Sequence, residues 1–97
     1  MNKDRFFEIA DKVAESTSVR VDDIFSRKRI EPIADARHLF FYIVHKENFT
    51  HSYINMFMAD RGFQLHHSSI THGIEKATTM VEKRKEMKEI VDKICAD

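Results

Sequence analysis

Two short stretches carry the side chains best suited to chemistry in this chain. One is His66-His67-Ser68-Ser69, followed by His72 and Lys76. The other is Arg27-Lys28-Arg29, set shortly before Pro32. Imidazoles and hydroxyls are compact groups that both donate and accept hydrogen bonds. At the start of a helix, beside amides with no intrahelical acceptor, they suit base edges and phosphate oxygens. Three cations in a loop suit phosphate too, although such a run by itself is more often a solvated loop. Catalysis has no comparable support. No Ser-His-Asp arrangement or carboxylate pair has a spacing that argues for an enzyme, so none is expected. His66, His67 and His72 do not form the i, i+4 pair with an acidic partner that a zinc-binding helix uses. No metal and no other cofactor is expected. The single cysteine, Cys95, rules out an internal disulfide framework and reads as inert near the terminus.

These side chains need elements to hold them. Glycine occurs twice and proline once in 97 residues, too few turn formers for a β-rich domain, so the fold is expected to be all-α. Phe6, Ile9, Ala10 and Val13 repeat at helical spacing behind Asn2, a plausible N-cap. Ser16-Thr17-Ser18 ends that helix, and Val21 to Phe25 reads as one short turn with Val21, Ile24 and Phe25 inward. Pro32 disfavours helix at Glu31 and opens the next helix. Residues Ile33 to about Lys46 are apolar almost all round, as in a central buried helix, and Glu47-Asn48-Phe49 breaks it. The phenylalanines around Phe40 therefore read as core rather than as a base-stacking platform. Thr50 caps a helix containing Tyr53, Met56 and Phe57, and Gly62 ends it in a tight turn. The following helix sets Ile70, Ile74, Ala77 and Val81 on one face and Ser68, His72, Lys76 and Thr79 on the other. A last helix, about 82–95, repeats Met87, Ile90, Val91 and Ile94.

The predicted whole is one compact domain over 1–97, of five or six helices, with its core at about 6–81. Sixteen basic residues balance sixteen acidic ones, so a strongly basic total does not point to nucleic acid and any such contact must come from charge placement. No apolar run suits a membrane span or a signal peptide, and a cytoplasmic, reducing location is expected. Two helices joined at a glycine, the second opening with small polar residues, outline a helix-turn-helix.

The stretch His66-His67-Ser68-Ser69-Ile70-Thr71-His72-Gly73 resembles the Asp-His-Thr-Thr-Val-x-His-Ala signature of the DnaA family of bacterial chromosomal replication initiators, in the C-terminal DNA-binding domain. Val13-Ala14-Glu15, Val19 to Ile24, Ser26 to Arg29 and Ile33 to Leu39 follow the same domain in order, so the resemblance runs from about Ile9 to Ala77. It implies a TrpR-like helix-turn-helix that binds double-stranded DNA with sequence preference, as a replication-related or regulatory factor. His67, Ser68 and Ser69 would then meet the major groove, Arg37 the minor groove, and Arg27 and Arg29 phosphates or the groove edge. With Lys28, Thr50, His66, His72 and Lys76 they make up the candidate DNA-contacting set. The sequence departs from the family at several points. His66 stands for the aspartate that acts on a cytosine amino group, and both threonines are serines. Asp35 and Glu31 replace basic or neutral groups, and a few residues are inserted around Asp60 to Leu65. The family's ATPase is not encoded here, because no phosphate-binding glycine loop is present.

A second reading stays open, a protein-interaction module that kept the fold and lost DNA affinity. Neutral charge and the mixed-sign last helix favour it, provided the apolar stripe of that helix meets a protein partner. Convergence of Arg27, Lys28, Arg29, Arg37 and Lys76 on the His67 face would favour DNA instead.

Overall fold

The protein is described by a computed structural model over residues 2–96; Met1 and Asp97, the outer bounds of the expected domain, lie outside the described residues. Among the described residues the regular structure is entirely helical: α1 (Lys3–Thr17), α2 (Val21–Ile24), α3 (Glu31–Lys46), α4 (His51–Ala59), α5 (His67–Lys83) and α6 (Lys85–Cys95). The expected fold is all-α with five or six helices, and the described residues form six.

Local chemistry sets most of the boundaries. Asn2 caps α1 by accepting the Arg5 amide, and Ser18 ends it in the left-handed conformation at φ 59°. α3 opens at Glu31, two residues before the periodic run begins, with Pro32 in its first turn. A proline is tolerated there because first-turn amides have no intrahelical acceptor to lose. Asn48 at φ 73° turns the chain out of α3, and Thr50 caps α4 by accepting the Tyr53 amide. Only Phe57 of the three apolar residues expected on α4 is buried; Tyr53 and Met56 face solvent, and Ile54 and Met58 take the inner positions.

α3 lies at the centre. Its Leu39, Phe40, Ile43 and Val44 are fully buried, and α1, α5 and α6 all pack on it. Phe6 of α1 joins Phe40 at 4.9 Å and Phe57 at 5.2 Å between ring centroids, both near edge-to-face, so the aromatic residues are core as expected. α5 crosses α3 at Gly73, where an added Cβ would sit 2.9 Å from Phe41 Cδ2 and 3.1 Å from His38 Cδ2. That contact shifts the inner face of α5 to Ile70, Gly73 and Ala77, leaving Ile74 and Val81 half-buried.

The last helix begins at Lys85 rather than about residue 82, because Arg84 takes an extended conformation at φ −120°, ψ 110° between α5 and α6. α6 folds back, and Met87, Val91 and Ile94 are buried against α1, α3 and α5. Of the apolar stripe that would be functional only if it met a partner, Met87, Val91 and Ile94 are thus covered by the chain itself and Ile90 is half-buried. Arg5 ties the three ends together, with Nε and Nη2 donating to the Glu47 carboxylate at 2.9 and 2.6 Å and Nη2 to the Ile94 carbonyl at 3.1 Å. These bonds hold the Arg5 pKa well above its ordinary value.

Candidate nucleic-acid interface

The α4–α5 connection is longer than the three or four residues of a standard helix-turn-helix. Gly62, at φ 76°, donates to the Ala59 carbonyl at 2.8 Å, and the Phe63 amide donates to Met58 at 3.2 Å. Residues 63–66 then run without regular structure before α5. Phe63 anchors this run, being 7% exposed, and the Leu65 amide donates to Asn55 Oδ1 at 3.1 Å. The tight glycine turn expected from sequence is therefore only the first half of the link, and the residues around Asp60 to Leu65 form a pinned extension.

His66 is the N-cap of α5 and makes no side-chain cap bond, so its imidazole is not used to satisfy the helix end. His67, Ser68 and Ser69 occupy the first turn and all are exposed. Opposite them lies the basic loop, and between the two walls is a cleft of about 800 Å³. Arg27, Arg29, Arg37, His66, Ser68, Ser69, His72 and Lys76 all line it, together with the half-buried His38. Lys28, Thr50 and His67 do not. Two segments some forty residues apart in sequence thus meet across the cleft.

Charge is sharply divided across the fold. The cleft lining holds Arg27, Arg29, Arg37 and Lys76 and no carboxylate. A groove of about 920 Å³ between α1, α3 and α6 holds Glu31, Asp35, Glu86 and Glu89 against Arg84 and Lys93. A neutral total therefore conceals a cationic face, and a cleft lined by one sign of charge concentrates its field. Two of the carboxylates that the sequence sets close to the basic loop are already engaged. Asp35 pairs with Arg84 at 3.4 Å, and Asp23 pairs with Lys28 at 2.9 Å.

Each cation in the loop has a distinct role. Arg27 lies over the Phe63 ring at 5.2 Å and reaches the Gln64 carbonyl at 3.5 Å, linking the loop to the turn without losing its charge. Lys28 is turned to Asp23, which accounts for its absence from the cleft. Arg29 is exposed and makes no ion pair or hydrogen bond among the described residues.

Arg37, which the resemblance sends to the minor groove, is engaged within the free protein. Its side chain is not extended toward a groove; the residue is 8% exposed at the cleft floor. Nε donates to the Ile24 carbonyl at 2.9 Å, Nη2 to the Asp23 carbonyl at 2.8 Å and Nη1 to the Lys28 carbonyl at 3.0 Å. Nη2 also reaches Ser26 Oγ at 3.2 Å. A guanidinium has five N–H groups in a fixed fork, so one side chain can hold two carbonyls at the end of α2 and one of the loop that follows. Burial lowers the Arg37 pKa, and the Asp23 carboxylate opposes that. Arg37 is the clamp of the basic loop.

Sequence reasoning missed two histidines on the flank, His45 and His51, which join His67 there. His45 in the last turn of α3, His51 at the first position of α4 and His67 at the first position of α5 form a row: His45 meets His51 edge-to-face at 5.6 Å between ring centroids, and His51 stacks on His67 at 5.8 Å. His51 Nε2 also bonds Thr71 Oγ1 at 3.0 Å. Burial lowers the His51 pKa, and the other two imidazoles lower it further. A second pair, His38 and His72, meets edge-to-face at 6.1 Å at the cleft. Burial also lowers His38, with smaller effects of the same sign from His72 and Arg37. No group of three or more His, Cys, Asp or Glu among the described residues has the geometry to hold a metal ion. No helix among them is long and apolar enough to cross a membrane.

Comparison with known proteins agrees with the resemblance read from the residues. No family model matches the chain. The chromosomal replication initiator protein DnaA of Aliarcobacter butzleri (strain RM4018) is 31% identical over 87 residues, which are 90% of this chain and 19% of that protein. The crystal structure of a DNA replication initiation factor superposes with a TM-score of 0.71 at 24% identity, covering 96% of this chain and 30% of that one. The chain is thus similar to DnaA over nearly all of its own length, and it spans under a third of either match.

Proposed function

We propose that this DnaA-like chain binds double-stranded DNA with sequence preference, as a replication-related or regulatory factor, and that it does so without chemistry of its own. The carrying observation is the cleft, which gathers four cations and no carboxylate opposite a helix start rich in short hydrogen-bonding side chains. A sugar-phosphate strand fits such a cleft. The start of α5 then enters the major groove beside it, with His66, Ser68, Ser69 and His72 toward base edges and His67 on the outer flank. Arg27, Arg29 and Lys76 meet phosphates, and Arg37 keeps Arg29 in place. The separation of cations from carboxylates favours this over a protein-interaction module, whose best support was the neutral total charge.

The test is selection from a random duplex library, followed by affinity measurements across a salt series. Recovery of a common site, with log affinity falling linearly against log salt, is the expected result. Equal, weak affinity for every duplex, or none, would remove the reading.

A further inference from the structure

The row of His45, His51 and His67 comes from three different helices, and the fold alone brings it together. It lies outside the cationic cleft, on the flank where the ends of α3, α4 and α5 meet. We infer that these three imidazoles form a proton-dependent binding site for a second backbone phosphate of the DNA duplex, separate from the phosphates in the cleft. This rests on the DNA-binding reading above and adds to it a ligand site and its regulation.

The reasoning is electrostatic. Three imidazoles within 6 Å of their neighbours repel one another when protonated, and only a nearby anion relieves that repulsion. The protein supplies none at the centre of the row. The charges acting on His51 are the other two imidazoles, and no carboxylate contributes. The neighbouring groups on each packed element bear this out. On α3 and its end, Lys46 is exposed and cationic, and Glu47 is held by Arg5. On α5, Thr71 is neutral and bonded to His51, and Glu75 lies one turn further on. On α4, Thr50 and Ser52 flank His51 and carry no charge. In the free protein His51 is therefore reluctant to charge. A phosphodiester laid across the row reverses the sign, because each proton taken up then gains an anionic partner. The site is also continuous with the proposed interface, since His67 is the first residue of α5, directly before Ser68.

Binding should therefore be coupled to proton uptake. A group whose pKa rises on complex formation makes the complex tighter as pH falls. For one histidine moved upward by about one and a half units, affinity gains roughly tenfold between pH 8 and 6. The experiment uses the duplex recovered by selection, at fixed salt, with the wild type and with the His45→Gln/His51→Gln variant, whose His67 is untouched. The expected result is a rise of about tenfold for wild type and a clearly smaller rise for the variant. As a check that does not depend on the variant's folding, imidazole proton NMR of the wild type should show all three titrations moving to higher pH on adding the duplex. If the variant keeps the full pH dependence, or the three titrations do not move in the complex, the site is refuted while DNA binding stands. If the wild type binds no duplex at any pH, this inference and the proposed function fall together.

Discussion

Replacing Arg37 separates a clamp from a base contact. In Arg37→Ala the carbonyls of Ile24, Asp23 and Lys28 lose their charged donor, and Ser26 Oγ loses a weaker one. The bond to Ile24 is buried and the others are part-buried. A hydrogen bond to a charged group contributes about 1.5–3 kcal/mol, and exposed carbonyls recover part of that from water. Taking about 2 kcal/mol for the buried bond and about 1 for each of the two shorter part-buried ones gives a loss of roughly 3–4 kcal/mol. A chain of this size has a total stability on the order of 5–15 kcal/mol, so the loss is large. Urea denaturation followed by helix circular dichroism should show a clear fall in midpoint. Arg37→Lys should recover only about 1 kcal/mol, since an ammonium cannot span three carbonyls arranged for a fork. At low temperature, where the variant remains folded, DNA affinity should fall alike for every duplex because Arg29 is no longer presented. An Arg37→Ala protein within about 0.5 kcal/mol of wild type, with preference lost at one base pair only, would refute the clamp and return Arg37 to a groove.

Other expectations follow from the same contacts. Gly73→Ala gains about 1 kcal/mol of helix propensity but drives a Cβ into Phe41 and His38, an overpacking cost of about 1–3 kcal/mol, so thermal denaturation should show a net loss; a stabilised variant would mean the α3–α5 crossing is looser than 2.9 Å implies. Arg29→Ala and Lys76→Ala should each reduce the log–log salt slope of duplex binding by about one unit, and an unchanged slope for both would move the phosphates elsewhere. Stability should decline in acid. His38 and His51 have folded pKa values below the ordinary 6.5, so the unfolded chain binds more protons once pH falls below that value and stability is progressively lost from there downward. His38→Gln should flatten this decline in a urea midpoint series from pH 7 to 5, and an undiminished slope would exclude His38 as a source.

The parts of the structure legible in the sequence are those fixed locally. Asn2, Ser18, Thr50 and Gly62 act at helix ends through their own backbone neighbourhood, and each does what its residue type suggests. The outward face of α5 that carries His72 and Lys76 was also legible, because a helix with one apolar face must turn the other outward. The hold of Arg37 on the end of α2 and the loop after it was not legible, because these partners lie nine to fourteen residues earlier and no periodicity links them to it. His45 and His51 were passed over for a similar reason. They are ordinary exposed positions until Asn48 reverses the chain and sets the start of α4 beside the end of α3. Gly73 gave no warning either, since a small residue on a helical face reads the same whether it meets water or a phenylalanine.

The central claim is that the cleft between the basic loop and the start of α5 receives DNA. Amide and side-chain NMR of the labelled protein, titrated with the selected duplex, tests this most directly. The largest shifts are predicted at residues 26–29, 64–69, His72 and Lys76, with Arg37 side-chain signals retained in their free positions and the groove between α1, α3 and α6 unaffected. Shifts concentrated along Glu31, Asp35, Glu86 and Glu89, or no shifts at saturating duplex, would contradict it.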